Sequence, residues 1–261
     1  MGEPRFGWPS RTAPLLNVAI DEGQGPIVVL IHGINSSSES WVNVVPLLSP
    51  LYRVIAIDLL GFGKSVAPAE ATFTLDEHVA ALHATIRSLH LKGRFTLVGH
   101  SLGALISSRY AAIYRREIAQ VVLVAPPIYA NEAYITEFGD RTVVKSYLRA
   151  YKFLRSNKEQ TMRRAAWLHR FIPVKALLIE ERYWGAFSLS MEHCIEGQTT
   201  ITDIAQITAP VEVVYGSRDQ VLVGDGIERL ARLQHVTVHE VPKNDHFVRP
   251  ALAREVARVI R

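Results

Sequence analysis

The chain has 261 residues, 48% of them hydrophobic and 21% charged, with a formal net charge of +4 at pH 7. This is the balance of a soluble globular domain with enough apolar residues for a sizeable core. The positive excess is too small to point to nucleic acid by itself, and no zinc-finger, RNP-like or helix-turn-helix pattern supports such a partner.

Cys194 is the one cysteine, so no intramolecular disulfide can form. A buried, inert thiol in a reducing compartment is expected. No signal-peptide pattern occupies Met1–Arg11. Phe6 stands where a myristoylation motif wants Ser or Thr, and no apolar run is long enough to span a bilayer. The expectation is a cytoplasmic protein without stable membrane insertion; the oligomeric state is left open.

Taken in chain order, the runs Ile27–Ile31, Tyr52–Ile57, Phe95–Val98, Val121–Val124 and Val211–Tyr215 predict strands, and His235–Val241 predicts the last one. Several are nearly continuous β-branched runs, as in strands covered on both faces. Helical patterns over Leu75–Leu89, Leu102–Tyr114, Gly226–Leu233 and Ala251–Ile260 lie between or after them. The alternation predicts an α/β fold with a doubly wound, mostly parallel sheet.

One stretch breaks the rhythm. From about Pro126 to Thr202 no strand is evident, and helix formers mix with Tyr129, Tyr134, Phe138, Tyr147, Tyr151, Phe153, Trp167, Phe171, Tyr183, Trp184 and Phe187. We read residues 126–202 as a helical cap inserted into a core made of 1–125 and 203–261. Most of these aromatics belong to the insertion's own packing, and a few should face a cavity beneath it. Arg141, Lys145, Arg149 and Lys152 recur at helical spacing in the insertion, while Val144, Tyr147, Leu148 and Tyr151 lie on other faces. A solvated basic face is the plain reading; steering of anionic substrates or contact with an acidic membrane surface is the sharper one.

Gly99-His100-Ser101-Leu102-Gly103 reads G-x-S-x-G between a predicted strand and a predicted helix. Such a turn forces its central residue into a strained backbone with the side chain clear of the sheet. Small residues two before and two after let strand and helix pass closely. Ser101 is therefore the candidate nucleophile. A serine hydroxyl needs a base, and the base needs an orienting carboxylate. Asp219, in Gly216-Ser217-Arg218-Asp219-Gln220, and His246, in Asn244-Asp245-His246-Phe247, follow in the order expected on a doubly wound sheet, each just past a strand's carboxyl end.

Rival groups are placed elsewhere. His235 and His239 flank or lie within the last strand. His78, His83 and His90 fall in a helical pattern and are expected at the surface. The ring of His100 should point away from an oxyanion. Asp225 is farther from its strand end, and Asp245 adjoins the histidine too closely to orient its ring. For a developing oxyanion, the N–H of Leu102 at a helix N-terminus is one donor, and Ile34, in Ile31-His32-Gly33-Ile34-Asn35, is the second. His32 is expected to pin that loop by hydrogen bonding rather than to act in catalysis.

Taken together, these motifs make the chain resemble the α/β-hydrolase superfamily almost end to end. The resemblance is carried by His32-Gly33, by Asp58-Leu59-Leu60-Gly61-Phe62-Gly63-Lys64-Ser65, by the Ser101 elbow, by Gly216–Asp219 and by His246. The turn from Asp58 to Ser65 is similar to the family's D-x-x-G-x-G-x-S turn and is read as structural. The resemblance implies an acyl-enzyme route: Ser101 attacks a carbonyl, His246 takes its proton and Asp219 orients the imidazole, without cofactor or metal. Serine at 101 argues against the aspartate-nucleophile epoxide hydrolases and haloalkane dehalogenases. Asp245 stands where the family often has Gly, and Ile34-Asn35-Ser36-Ser37-Ser38 lacks the glycines of an HGGG-type loop. The expected activity is a carboxylesterase acting on small or medium apolar acyl esters. The alternatives are a carbon–carbon hydrolase of aromatic meta-cleavage products, with haloperoxidase-like and thioesterase side readings, and a non-catalytic small-molecule receptor on the same fold.

Overall fold

The computed structural model describes residues 13–128, 138–168, 180–222 and 226–261. Among these residues seven strands form one sheet: β1 (Val18–Glu22), β2 (Ile27–Ile31), β3 (Arg53–Ile57), β4 (Phe95–His100), β5 (Ile118–Val124), β6 (Val211–Gly216) and β7 (Val236–Val241). Their order is β1-β3-β2-β4-β5-β6-β7. β1 runs antiparallel to β3, and every other pairing is parallel. The doubly wound, mostly parallel α/β sheet expected from the sequence is the fold observed.

β1 was not expected. It is a five-residue edge strand, largely exposed, whose apolar run Val18-Ala19-Ile20 stops after three residues at Asp21 and Glu22, too short to mark a strand. Arg53 grips Asp21 from β3, with Nε to Oδ1 at 2.8 Å and Nη2 to Oδ2 at 2.7 Å. The charges also protect an open edge from pairing with another chain. β4 outruns its apolar residues because Gly99 and His100 continue the ladder opposite Leu123 and Val124.

The inner parallel strands β2 to β6 are buried on both faces, and alternate residues feed two separate cores. Val29 and Ile31 join one cluster with Leu82, Leu97, Tyr110 and Leu123. Val28 and Leu30 join the other with Trp41, Val98, Val122 and Leu252. Helices α1 (Val45–Leu48), α2 (Leu75–Ser88) and α3 (Leu102–Ile113) form the N-terminal part of these layers. α2 starts at Thr74, whose hydroxyl accepts from the Glu77 N–H, while the Glu77 carboxylate accepts from the Thr72 and Phe73 N–H groups. This arrangement satisfies backbone donors at and just before the helix start.

Between β5 and β6 the elements of the described residues are helical: α4 (Phe138–Ser156), α5 (Lys158–Leu168), α6 (Trp184–Ser190), a π-helical turn over Met191–Glu196, and α7 (Thr200–Gln206). α7 runs across residue 202 and packs on α3. There Arg109 donates to the Thr199 hydroxyl at 2.8 Å and pairs with Asp203 at 3.3 Å. α8 (Gly226–Ala231) and α9 (Pro250–Val259) complete the chain. α9 opens on a proline, which has no N–H to leave unpaired, and buries Leu252, Ala253, Val256 and Val259 on one face. Tyr129, Tyr134, Phe171 and Asp225 lie outside the described residues, as do the side chains of Phe138, Arg141, Val144, Tyr147 and Trp167.

Candidate active site

Ser101 sits between the last residue of β4 and the first of α3, with φ 52° and ψ −118°. A non-glycine residue there carries strain of about 1–3 kcal/mol, held in place by its surroundings. The glycines explain how it is held. A Cβ on Gly99 would stand 2.2 Å from the Gly103 carbonyl oxygen, and one on Gly103 would stand 2.3 Å from that of Ile31. No side chain fits at either position, so strand, turn and helix close on one another through bare backbone.

Asp219 and His246 come from neighbouring loops past β6 and β7. Gly216 lets those loops touch: a Cβ there would lie 2.2 Å from the Asn244 carbonyl oxygen. The Arg218 N–H donates to that same oxygen at 2.9 Å, and the Lys243 N–H donates to the Ser217 hydroxyl at 2.9 Å. The His246 Nδ1 then lies 2.8 Å from Asp219 Oδ2 and 3.0 Å from Oδ1, and its Nε2 lies 3.0 Å from Ser101 Oγ. The Asp219 side chain is fully buried, and that of His246 is 18% exposed. Facing a carboxylate, Nδ1 carries the proton; Nε2 is left as an acceptor aimed at the hydroxyl. The three predicted side chains converge.

The loop after β2 also takes its expected form. His32 is fully buried; its Nδ1 donates to the Gly33 carbonyl at 2.7 Å, and its Nε2 accepts from the Leu59 N–H at 2.8 Å. Burial lowers its pKa to about 4, so the ring stays neutral and pins two loops together. Behind it, burial alone would raise Asp58. Hydrogen bonds from the Lys64 and Ser38 N–H groups, the Ser38 hydroxyl and Asn17 outweigh that and hold the carboxyl below its usual range. Leu102 is buried at the first position of α3, and Ile34 lines the cavity beside Ser101.

That cavity has a volume of about 550 Å³. Ser101, His100 and His246 stand in its wall. Pro127, Tyr151, Met191, Ile195 and Val221 give it an apolar lining, and Ser36, Glu39, Ser40 and Asn43 a polar one. Arg249 is the one Lys or Arg among the described lining residues, and its guanidinium is bound to Asp245 at 2.9 and 2.6 Å.

Residues 26–167 match the family described as the alpha/beta hydrolase fold. The chain belongs to that family. It is 36% identical over 107 residues to 2-hydroxy-6-oxo-6-(2'-aminophenyl)hexa-2,4-dienoic acid hydrolase of Metapseudomonas resinovorans, a match covering 40% of this chain and 37% of that protein. It is 23% identical over 222 residues to a monoacylglycerol lipase of Xenopus laevis, covering 80% and 66% of the two chains. The crystal structure of E-2-(acetamidomethylene)succinate hydrolase superposes with a TM-score of 0.70 at 23% identity, over 93% of this chain and 92% of the other. The match thus spans well under two thirds of the dienoic acid hydrolase.

Elsewhere in the chain the histidines divide by environment. His78 is not at the surface: it is fully buried, its Nε2 is 3.0 Å from the Ser190 hydroxyl, and burial lowers its pKa to about 3. The covering residues come from α6, which the helical pattern of α2 alone could not place. His83 stacks on Tyr114 with ring centroids 3.7 Å apart, whereas His90 is exposed. His235 and His239 bond the Ile204 carbonyl and the Glu212 carboxylate, away from Ser101. Cys194 is buried as expected, and burial pushes its thiol pKa up. Among the described residues no helix is long and apolar enough to cross a membrane. Sequence reasoning missed Asn43 and Asn244, whose amides bond the loop bearing His246; Asn43 is 205 positions from its partner, and no local motif marks it.

Proposed function

We propose that this chain is a serine hydrolase that cleaves uncharged carboxylic esters with an apolar acyl group. The observation that carries this reading is the Ser101 Oγ–His246 Nε2–Asp219 file, at 3.0 and 2.8 Å, on the wall of a largely apolar cavity. Ser101 Oγ attacks the ester carbonyl while His246 Nε2 accepts its proton. The backbone N–H groups of Leu102 and Ile34 receive the oxyanion, each worth about 3 kcal/mol in the transition state. His246 returns the proton to the departing alcohol, and water then repeats the sequence to release the acid. Residues 126–202 act as the cap, supplying Tyr151, Met191 and Ile195 to the acyl side of the cavity.

Cleavage of an anionic dienoic acid is the second reading, suggested by the Metapseudomonas relative. The described cavity residues favour the ester. An anionic substrate wants an uncommitted cation, but Arg249 is already paired with Asp245, and Glu39 adds a negative charge to the lining. Ser101→Ala is expected to reduce p-nitrophenyl butyrate hydrolysis by about 10⁴-fold or more, as for nucleophiles of this kind. Wild-type protein should label at Ser101 with a fluorophosphonate. Native-rate hydrolysis by the variant, or no labelling of the wild type, would overturn the reading and favour a receptor.

A further inference from the structure

The loop carrying His246 leaves β7 at Val241 and reaches α9 at Pro250 with no regular structure of its own. A base on such a segment has to be held from outside, because a displacement of about 1 Å can cost about 100-fold in rate. The hydrogen bonds of this loop are unusual in their source. Four consecutive carbonyl oxygens, of residues 245 to 248, each accept from a side chain. Asn244 Nδ2 donates to the Asp245 oxygen at 2.7 Å and to that of Phe247 at 3.0 Å. His100 Nε2 donates to the His246 oxygen at 2.9 Å, and Asn43 Nδ2 donates to the Val248 oxygen at 3.0 Å.

His100 is the member that links the two halves of the site. It precedes Ser101 on β4, so it moves with the nucleophile's turn. The residue is 7% exposed, with its ring edge-on to Trp41 and 5.1 Å from the His246 ring. A Cβ on Gly33 would stand 3.0 Å from its Nδ1, so the ring also wedges against the loop after β2. Because Nε2 faces a carbonyl, it must carry the ring's proton. Burial, reinforced by the neighbouring His246, lowers its pKa to about 3, which keeps it from competing for a proton at neutral pH.

We propose that His100, assisted by Asn43 and Asn244, is a positioning residue that fixes the distance between Ser101 and His246 by holding the backbone of the His246 loop. This rests on the serine-hydrolase reading for its kinetic consequence but not for its structural one.

The test uses the full chain with His100→Leu, His100→Gln and Asn43→Ala. Three quantities are read: kcat and KM on p-nitrophenyl butyrate, thermal midpoint, and the low-field proton resonance of the His246 Nδ1–H bond to Asp219, assigned by its loss in His246→Gln. His100→Leu is expected to lower kcat by about 30-fold with KM within about twofold, and to broaden or shift the resonance. His100→Gln, whose amide can still donate to the His246 carbonyl, should recover most of the rate and the resonance. Asn43→Ala should lower kcat by about threefold in the same sense. If His100→Leu does not fold, the glutamine and Asn43 variants carry the test. Unchanged kcat and resonance in the folded variants, or a loss confined to KM or to the thermal midpoint, would overturn the proposal. If wild-type protein neither labels nor hydrolyses esters, the functional reading fails alone, since the resonance needs no turnover.

Discussion

The sheet around β2, β4 and β5 and the helices between β5 and β6 follow opposite rules. In the sheet, almost every side chain is buried and several contacts are backbone on backbone, so a single added methyl has nowhere to go. In α4, by contrast, Lys145, Arg149 and Lys152 are exposed and Phe153 is 40% exposed. That helix meets the 191–196 turn through ion pairs: Arg155 to Glu196 at 2.7 Å and to Glu192 at 3.1 Å. Close packing leaves the residues around Ser101 little room to move, while half-buried ion pairs hold the covering helices more loosely. On the proposed function, the chemistry would fall to the rigid region and substrate choice to the tolerant one.

Gly103→Val should have the largest effect. With a Cβ 2.3 Å from the Ile31 oxygen, it is expected to abolish soluble, folded protein, read by expression and circular dichroism. Recovery of a normally stable variant would break the contrast.

Next comes pH. His32, His78 and His100 have pKa values near 4, 3 and 3 in the folded chain, against 6.5 when unfolded. Between those values the unfolded chain binds more protons, so stability is complete above about pH 6.5 and falls as the pH drops toward about 3. Near pH 5 the slope should approach three protons, roughly 4 kcal/mol per pH unit, in urea titrations at stepped pH. A slope below one proton would contradict neutral, buried rings.

Arg155→Met should lower the thermal midpoint by only a few degrees, as expected for loss of about 1 kcal/mol, while changing the KM ratio of long to short acyl esters. A collapse of the fold would put α4 in the rigid class. Smallest of all, replacing Lys145, Arg149 and Lys152 by Gln should alter kcat/KM on a neutral ester, and its salt dependence, by less than about twofold. A large loss with steep salt dependence would revive substrate steering.

Much of this protein was legible in one dimension because its information is local. β-branched runs predict buried parallel strands, and G-x-S-x-G between strand and helix marks Ser101. Chain order and position past a strand end point to Asp219 and His246, and the fold brings these side chains and Ser101 together at 2.8 and 3.0 Å. The α/β class and the His32 pin follow from the same kind of signal. β1 escaped because its three-residue apolar run is too short to signal a strand, and its pairing with β3 is what extends it through Asp21 and Glu22. His78 was misplaced because the helix that buries it arrives from 112 residues away. The grip of His100, Asn43 and Asn244 on the His246 loop was invisible for the same reason. A hydrogen bond to a backbone carbonyl leaves no trace in the accepting residue's identity, so only the folded chain could decide which side chains hold the base in place.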